Sequence, residues 1–159
     1  MDYNTVKKRL NNEIKKINTQ HKKDFNYDNI ISIEYNQIDI TTVKYKFNDT
    51  ILNVKLKYPV NYPFKPPCIY INNIFYNQIL QTKKNQHLVS KLFHIKCLCC
   101  NTIICGFNWK PYHLLEDILL DMDNHLNIKL FLMNYHTIQQ ITNQYLLPEL
   151  NRNIIDYLI

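Results

Sequence analysis

The chain has 159 residues, 46% of them hydrophobic and 13% aromatic, with a formal net charge of +6. That length suits one domain, 1–159, and apolar residues spread along all of it exclude a disordered protein. No apolar run approaches the roughly 20 residues that span a bilayer, and Met1–Leu10 is too polar for a secretory leader. The sequence therefore predicts a soluble intracellular protein, cytoplasmic or nuclear, without membrane contact.

Residues 2–23 read as an amphipathic helix. Val6, Leu10, Ile14 and Ile17 recur at helical spacing, and Asp2 is placed to cap it. Lysines fill its other faces, and the remaining positive charge is scattered, as at Lys83 and Lys84. Without an aromatic platform among them, these charges read as solvated faces and not as a nucleic-acid site.

From about 29 to 73 the apolar period changes to two. Ile31, Ile33 and Tyr35 alternate with polar neighbours, as do Val43, Tyr45 and Phe47, and then Leu52, Val54, Leu56 and Tyr58. Asn36-Gln37 and Asn48-Asp49 are turn-like joints, which fits a chain with a single glycine. A fourth short strand, Cys68 to Ile71, follows a run of prolines. One-sided alternation and short joints predict a four-stranded antiparallel meander with the first helix on its apolar face, an α+β fold. Between the third and fourth strands, Tyr58–Pro67 carries four prolines, so it should be extended and outside the ladder.

Tyr76–Leu80 and the Leu88–Phe93 region suggest short helical turns. After the cysteines, Pro111 should open a second strong helix with Leu114, Leu115, Ile118, Leu119 and Met122 on one face. The signal continues through Leu130, Met133, Ile138 and Ile141. Pro148 begins a last amphipathic segment with Leu150, Ile154, Ile155 and Leu158.

Five cysteines, an odd number, point to thiols, ligands or nucleophiles more than to disulfides. Four of them cluster at Cys97, Cys99, Cys100 and Cys105. Three chemistries are open to the cluster. One sulfur can act as a nucleophile, with His94 near enough in sequence to set its pKa. All four can close a zinc site, although adjacent Cys99 and Cys100 do not readily face one ion. Or the thiols pack as small hydrophobes beside Ile103, Ile104 and Phe107. Cys68, at a strand start, has no evident chemistry.

Tyr62-Pro63-Phe64-Lys65-Pro66-Pro67 and the strand Ile69-Tyr70-Ile71 resemble the proline signature of ubiquitin-conjugating enzymes. Cys97-Leu98, followed by Trp109-Lys110-Pro111 and Leu115–Leu119, is similar to that family's active-site Cys-Leu and its downstream Trp-Ser-Pro. The resemblance covers residues 2 to 125, leaving a helical extension to 159. The tight Cys-Leu-Cys-Cys further resembles divergent copies carried by large DNA viruses. The resemblance implies a UBC-like fold and an enzyme that holds ubiquitin, or a related modifier, as a cysteine thioester and passes it to a lysine or a ligase. It implies no cofactor, and as partners an activating enzyme and a ubiquitin ligase. Cys97 would be the nucleophile because Leu98 matches the following leucine, with Cys100 as the alternative. Lys8, Phe64, Pro111 and Tyr112 would meet partner proteins.

The chain departs from the family at two points. No His-Pro-Asn tripeptide precedes the cysteines; Asn77 falls where the histidine is expected, and it is the one candidate for the amide that stabilises the oxyanion. Trp109 follows Cys97 by 12 positions and Cys100 by 9, longer than the family's usual spacing. A fold of this type with unreactive thiols would be a ubiquitin-binding scaffold, and a four-cysteine metal site would make it a zinc module.

Overall fold

A computed structural model describes residues 3–19, 27–37, 39–83 and 86–145. Asp2, the expected extension of the first helix to residue 23, and the segment carrying Leu150, Ile154, Ile155 and Leu158 lie outside them. Helix α1 (Tyr3–Thr19) is followed by a 3₁₀ turn (Tyr27–Asn29) and strands β1 (Ile30–Gln37), β2 (Ile40–Phe47), β3 (Thr50–Lys57), β4 (Cys68–Ile71) and β5 (Ile74–Phe75). Helices α2 (Tyr76–Ile79), α3 (Gln86–Phe93), α4 (Leu98–Asn101) and α5 (Leu115–Tyr145) complete the described chain. Among the described residues no helix is long and apolar enough to cross a membrane.

The strands form one antiparallel sheet in chain order, β1-β2-β3-β4-β5. The expected meander is therefore present, but with five strands in place of four. The fifth arises from Asn72 and Asn73, whose φ values of 49° and 67° make a tight hairpin turn pairing Ile71 with Ile74. The β2–β3 joint at Asn48-Asp49 is also a turn, with Asn48 at φ 49°. Asn36-Gln37, expected as a joint, instead continues β1, where Gln37 pairs with Ile40. Alternation decides which face is buried: Val43, Tyr45, Val54 and Leu56 point into the core, with Lys44, Lys55 and Lys57 outward. Ile31 does not join Ile33, because a register shift between Ile30 and Ser32 turns it out to 51% exposure.

Val6, Leu10 and Ile17 of α1 and Leu115, Ile118, Leu119 and Met122 of α5 share one core with the inward strand residues. Each such side chain, fully buried, contributes roughly 1.5–3 kcal/mol relative to exposure. Helix α5 begins at Leu115 and not at Pro111. Pro111 and Tyr112 lie in a turn closed by the His113 amide on the Lys110 carbonyl at 3.0 Å. The start is fixed by Asp117, whose Oδ2 accepts the Leu114 amide at 2.8 Å, the backward half of a capping box. Beyond residue 128 α5 runs on without a break; among the side chains described there Leu132 and Tyr135 are buried, while Met133 and Ile138 face solvent and the side chain of Ile141 lies outside those described.

The proline segment is folded, not extended. Tyr62 donates its amide to the Pro59 carbonyl at 2.9 Å and Phe64 to Asn61 at 2.8 Å, with a cis peptide at Tyr62-Pro63. Tyr62 is fully buried, its ring edge-on to Tyr58 at 4.8 Å and under the Arg9 guanidinium at 5.1 Å. Arg9 also donates to the His113 carbonyl at 2.9 Å, so α1, the proline turn and the approach to α5 meet at one side chain.

Candidate functional site

Cys97 lies in extended backbone (φ −161°, ψ 133°) as the N-cap of the single helical turn α4. Extended entry followed at once by helix swings its side chain back over the turn it caps. Its Sγ lies 2.6 Å from Cys99 Sγ, and Cys99 Sγ lies 4.0 Å from Cys100 Sγ; all three sulfurs fall within 4.8 Å of one another. Adjacent Cys99 and Cys100 bring their sulfurs to 4.0 Å of each other on α4, and Cys97 meets them from outside the helix. Cys105 does not join the group.

None of the clustered thiols is sealed in the core. Cys100 is exposed, and Cys97, Cys99 and Cys105 are half-buried. The packing expected beside Ile103, Ile104 and Phe107 is present in part: Ile104 is buried and Cys99 and Ile103 lie half-buried against the core, whereas Phe107 is 96% exposed. Cys68 is exposed at the start of β4, away from the trio.

The cysteine loop is held from several sides. Leu98 is fully buried and anchors α4. Asn108 Nδ2 donates to the Cys100 carbonyl at 2.8 Å and the Thr102 carbonyl at 3.0 Å, and Asp121 on α5 accepts the Ile103 amide at 3.3 Å. Upstream, Gln86 Nε2 donates to the Lys96 carbonyl at 2.8 Å. Trp109 Nε1 donates to the Pro63 carbonyl at 2.7 Å, tying the end of the loop to the proline turn. Sequence reasoning missed Gln86, Asn108 and Asp121. Each acts on a backbone carbonyl or amide, a role no motif records; for Asn108 the one available signal was its place beside Trp109.

The sulfurs are not equivalent. Partial burial pushes the Cys97 thiol up, but hydrogen bonding from the Cys99 thiol and from the Cys100 amide and thiol outweighs it. Its pKa falls below the ordinary thiol value of 9.0. Burial, reinforced by Cys97, pushes the Cys99 thiol up to about 12. Cys100 is raised chiefly by its hydrogen bonding to Cys97. Cys97 is thus held below the ordinary thiol value while both of its neighbours are pushed above it.

Among the other expected residues, Asn77 stands on α2, half-buried, with Oδ1 buried and unpartnered. His94 is exposed and ends α3 at φ 55°, its amide on the Ser90 carbonyl at 3.2 Å. Lys8 and Pro111 are exposed, as are Phe64 at 66% and Tyr112 at 72%. No protein-family model matches the chain, and no curated protein matches it either.

Proposed function

We propose that this is a ubiquitin-conjugating enzyme of the UBC-like fold, acting in the cytoplasm or nucleus, that carries ubiquitin or a related modifier as a thioester on Cys97. The observation that carries the reading is the Trp109 hydrogen bond to the Pro63 carbonyl. It joins the proline turn to the cysteine loop, the two segments whose residues resemble that family. The order of helix, antiparallel meander, proline turn, cysteine loop and helix supports it further.

In the reaction, the Cys97 thiolate attacks the modifier's C-terminal carbonyl, presented as a thioester on the activating enzyme. A new carbon–sulfur bond forms and the activating enzyme's thiolate leaves. A lysine amine, or a ligase cysteine, then attacks the Cys97 thioester; the new bond forms, Cys97 departs as thiolate, and the attacking group's proton passes to solvent. A thiol suits both steps because it is a strong nucleophile and a good leaving group. Cys97 is preferred to Cys100 because its neighbours donate to it. Asn77 is assigned the amide donor to the tetrahedral oxyanion. Lys8, Phe64, Pro111 and Tyr112 face a ligase, and the basic first helix that carries Lys8 also faces the activating enzyme.

The test is to incubate the protein with activating enzyme, ATP and ubiquitin and to resolve the products without reductant. An adduct that reductant removes, that is absent from Cys97→Ala, and that becomes reductant-stable in Cys97→Ser supports the assignment. An adduct retained by Cys97→Ala but lost by Cys100→Ala moves the nucleophile to Cys100. No adduct with ubiquitin or its relatives sinks the enzymatic reading, and ubiquitin titration by NMR then tests the scaffold.

A further inference from the structure

A thioester carrier needs one reactive sulfur, yet three converge here. Sulfur-ligated zinc has metal–sulfur bonds of about 2.3 Å, which place tetrahedral sulfurs roughly 3.8 Å apart. Cys99 and Cys100 already stand at 4.0 Å. Cys97 and Cys99, at 2.6 Å, would part by about 1.2 Å to reach that spacing. The backbone helps, since Cys97 reaches in from extended chain while Cys99 and Cys100 ride on α4. The trio opens to solvent at Cys100, so one coordination position is left for water or an incoming ligand.

We propose that Cys97, Cys99 and Cys100 form a binding site for one thiophilic d10 cation, zinc(II) or copper(I), with three sulfur ligands and one open position. Soft thiolates select these ions over magnesium or calcium, which prefer oxygen. Each sulfur binds as thiolate and gives its proton to solvent, so loading releases up to three protons, one for each sulfur of the trio. The cation also removes the mutual repulsion that would otherwise oppose three thiolates packed this closely. The site differs from a four-cysteine zinc module because Cys105 takes no part. It is also independent of thioester chemistry, with one point of contact: the ion and the acyl group compete for Cys97 Sγ.

The experiment uses the full chain, reduced, metal-free and anaerobic. It is titrated with cobalt(II) as the optical probe for zinc, with zinc(II), and with copper(I) against a chromogenic chelator. The expected result is one ion per chain, with a sulfur-to-cobalt charge-transfer band that zinc erases. Cys97→Ala, Cys99→Ala and Cys100→Ala should each weaken binding by more than about tenfold, the least effect seen when even an outer-shell partner is lost. Cys68→Ala and Cys105→Ala should leave it unchanged. Retention of copper(I) but not zinc assigns the site to copper. Failure to retain either ion, or binding that survives the Cys99→Ala/Cys100→Ala double variant, overturns the proposal. No ubiquitin enters this assay, so a chain that binds metal and forms no adduct sinks only the enzymatic reading.

Discussion

Glu13 on α1 accepts the backbone amide of Leu115, 102 positions later, at 2.9 Å, while its other oxygen meets Arg9 Nε at 2.6 Å. One carboxylate therefore holds the first helix, the start of α5 and, through Arg9, the proline turn. Replacing Glu13 with Ala leaves a buried amide without an acceptor, and should cost about 1–3 kcal/mol in a denaturant titration. A cost near zero would mean that water takes over both bonds.

The same residue gives stability a pH dependence. Burial raises the Glu13 carboxyl above its ordinary value of 4.5, and Arg9 and the Leu115 amide pull it only part of the way back. With the folded value raised, the folded state binds the extra proton. Its contribution is complete below 4.5 and is lost as pH rises through the folded value. The stability gap between the wild type and Glu13→Ala should therefore narrow from acid toward neutral pH; a gap that widens would reverse the assignment.

Trp109→Phe keeps a ring in the core but removes the donor to the Pro63 carbonyl. A loss of about 1–2 kcal/mol is expected from the orphaned carbonyl and the smaller ring. Under the proposed function, adduct formation falls with it. Stability lost with charging intact would show that the tie supports the fold alone.

Cys99→Ala removes the leading hydrogen bond that lowers Cys97. The pH–rate profile for alkylation of Cys97, read by peptide mass spectrometry, should shift upward, with slower reaction at neutral pH. In the wild type, Cys97 should alkylate before Cys99, whose thiol is pushed up to about 12. The opposite order would remove the case for Cys97 over its neighbours.

Phe64 is 66% exposed, so Phe64→Ala should change stability by no more than about 0.5 kcal/mol. Under the proposed function, charging with ubiquitin should be unaffected, whereas ligase-dependent discharge should slow. Equal discharge with and without Phe64 across several ligases would detach this residue from partner binding.

The strands were legible because one-sided burial writes itself as alternation, and Val43, Tyr45, Val54 and Leu56 follow it. β5 was missed because two residues carry no period. Its one available signal was Asn72-Asn73 between two isoleucines, the residue type that tolerates positive φ. The start of α5 lies later than Pro111 suggests because Pro111 is a generic opening, whereas the cap that fixes the start is the Leu114 amide on Asp117. The proline turn read as extended because proline restricts φ locally, but hydrogen bonds at Pro59 and Asn61 fold it back. Within the site, the four cysteines could be picked out, but which three meet could not. That depends on the change from extended to helical backbone between Cys97 and Leu98.

The turn Leu98–Asn101 buries a single side chain, Leu98, and leaves its sulfurs at the periphery. Shape and reactivity are thereby assigned to different residues of one short segment. Cys100, the exposed thiol of the turn, can be exchanged for serine, alanine or a spectroscopic label without touching the interior, whereas Cys99 packs partly against it. Conversely, a change at Leu98 would disturb all of the sulfurs at once without altering any of them chemically.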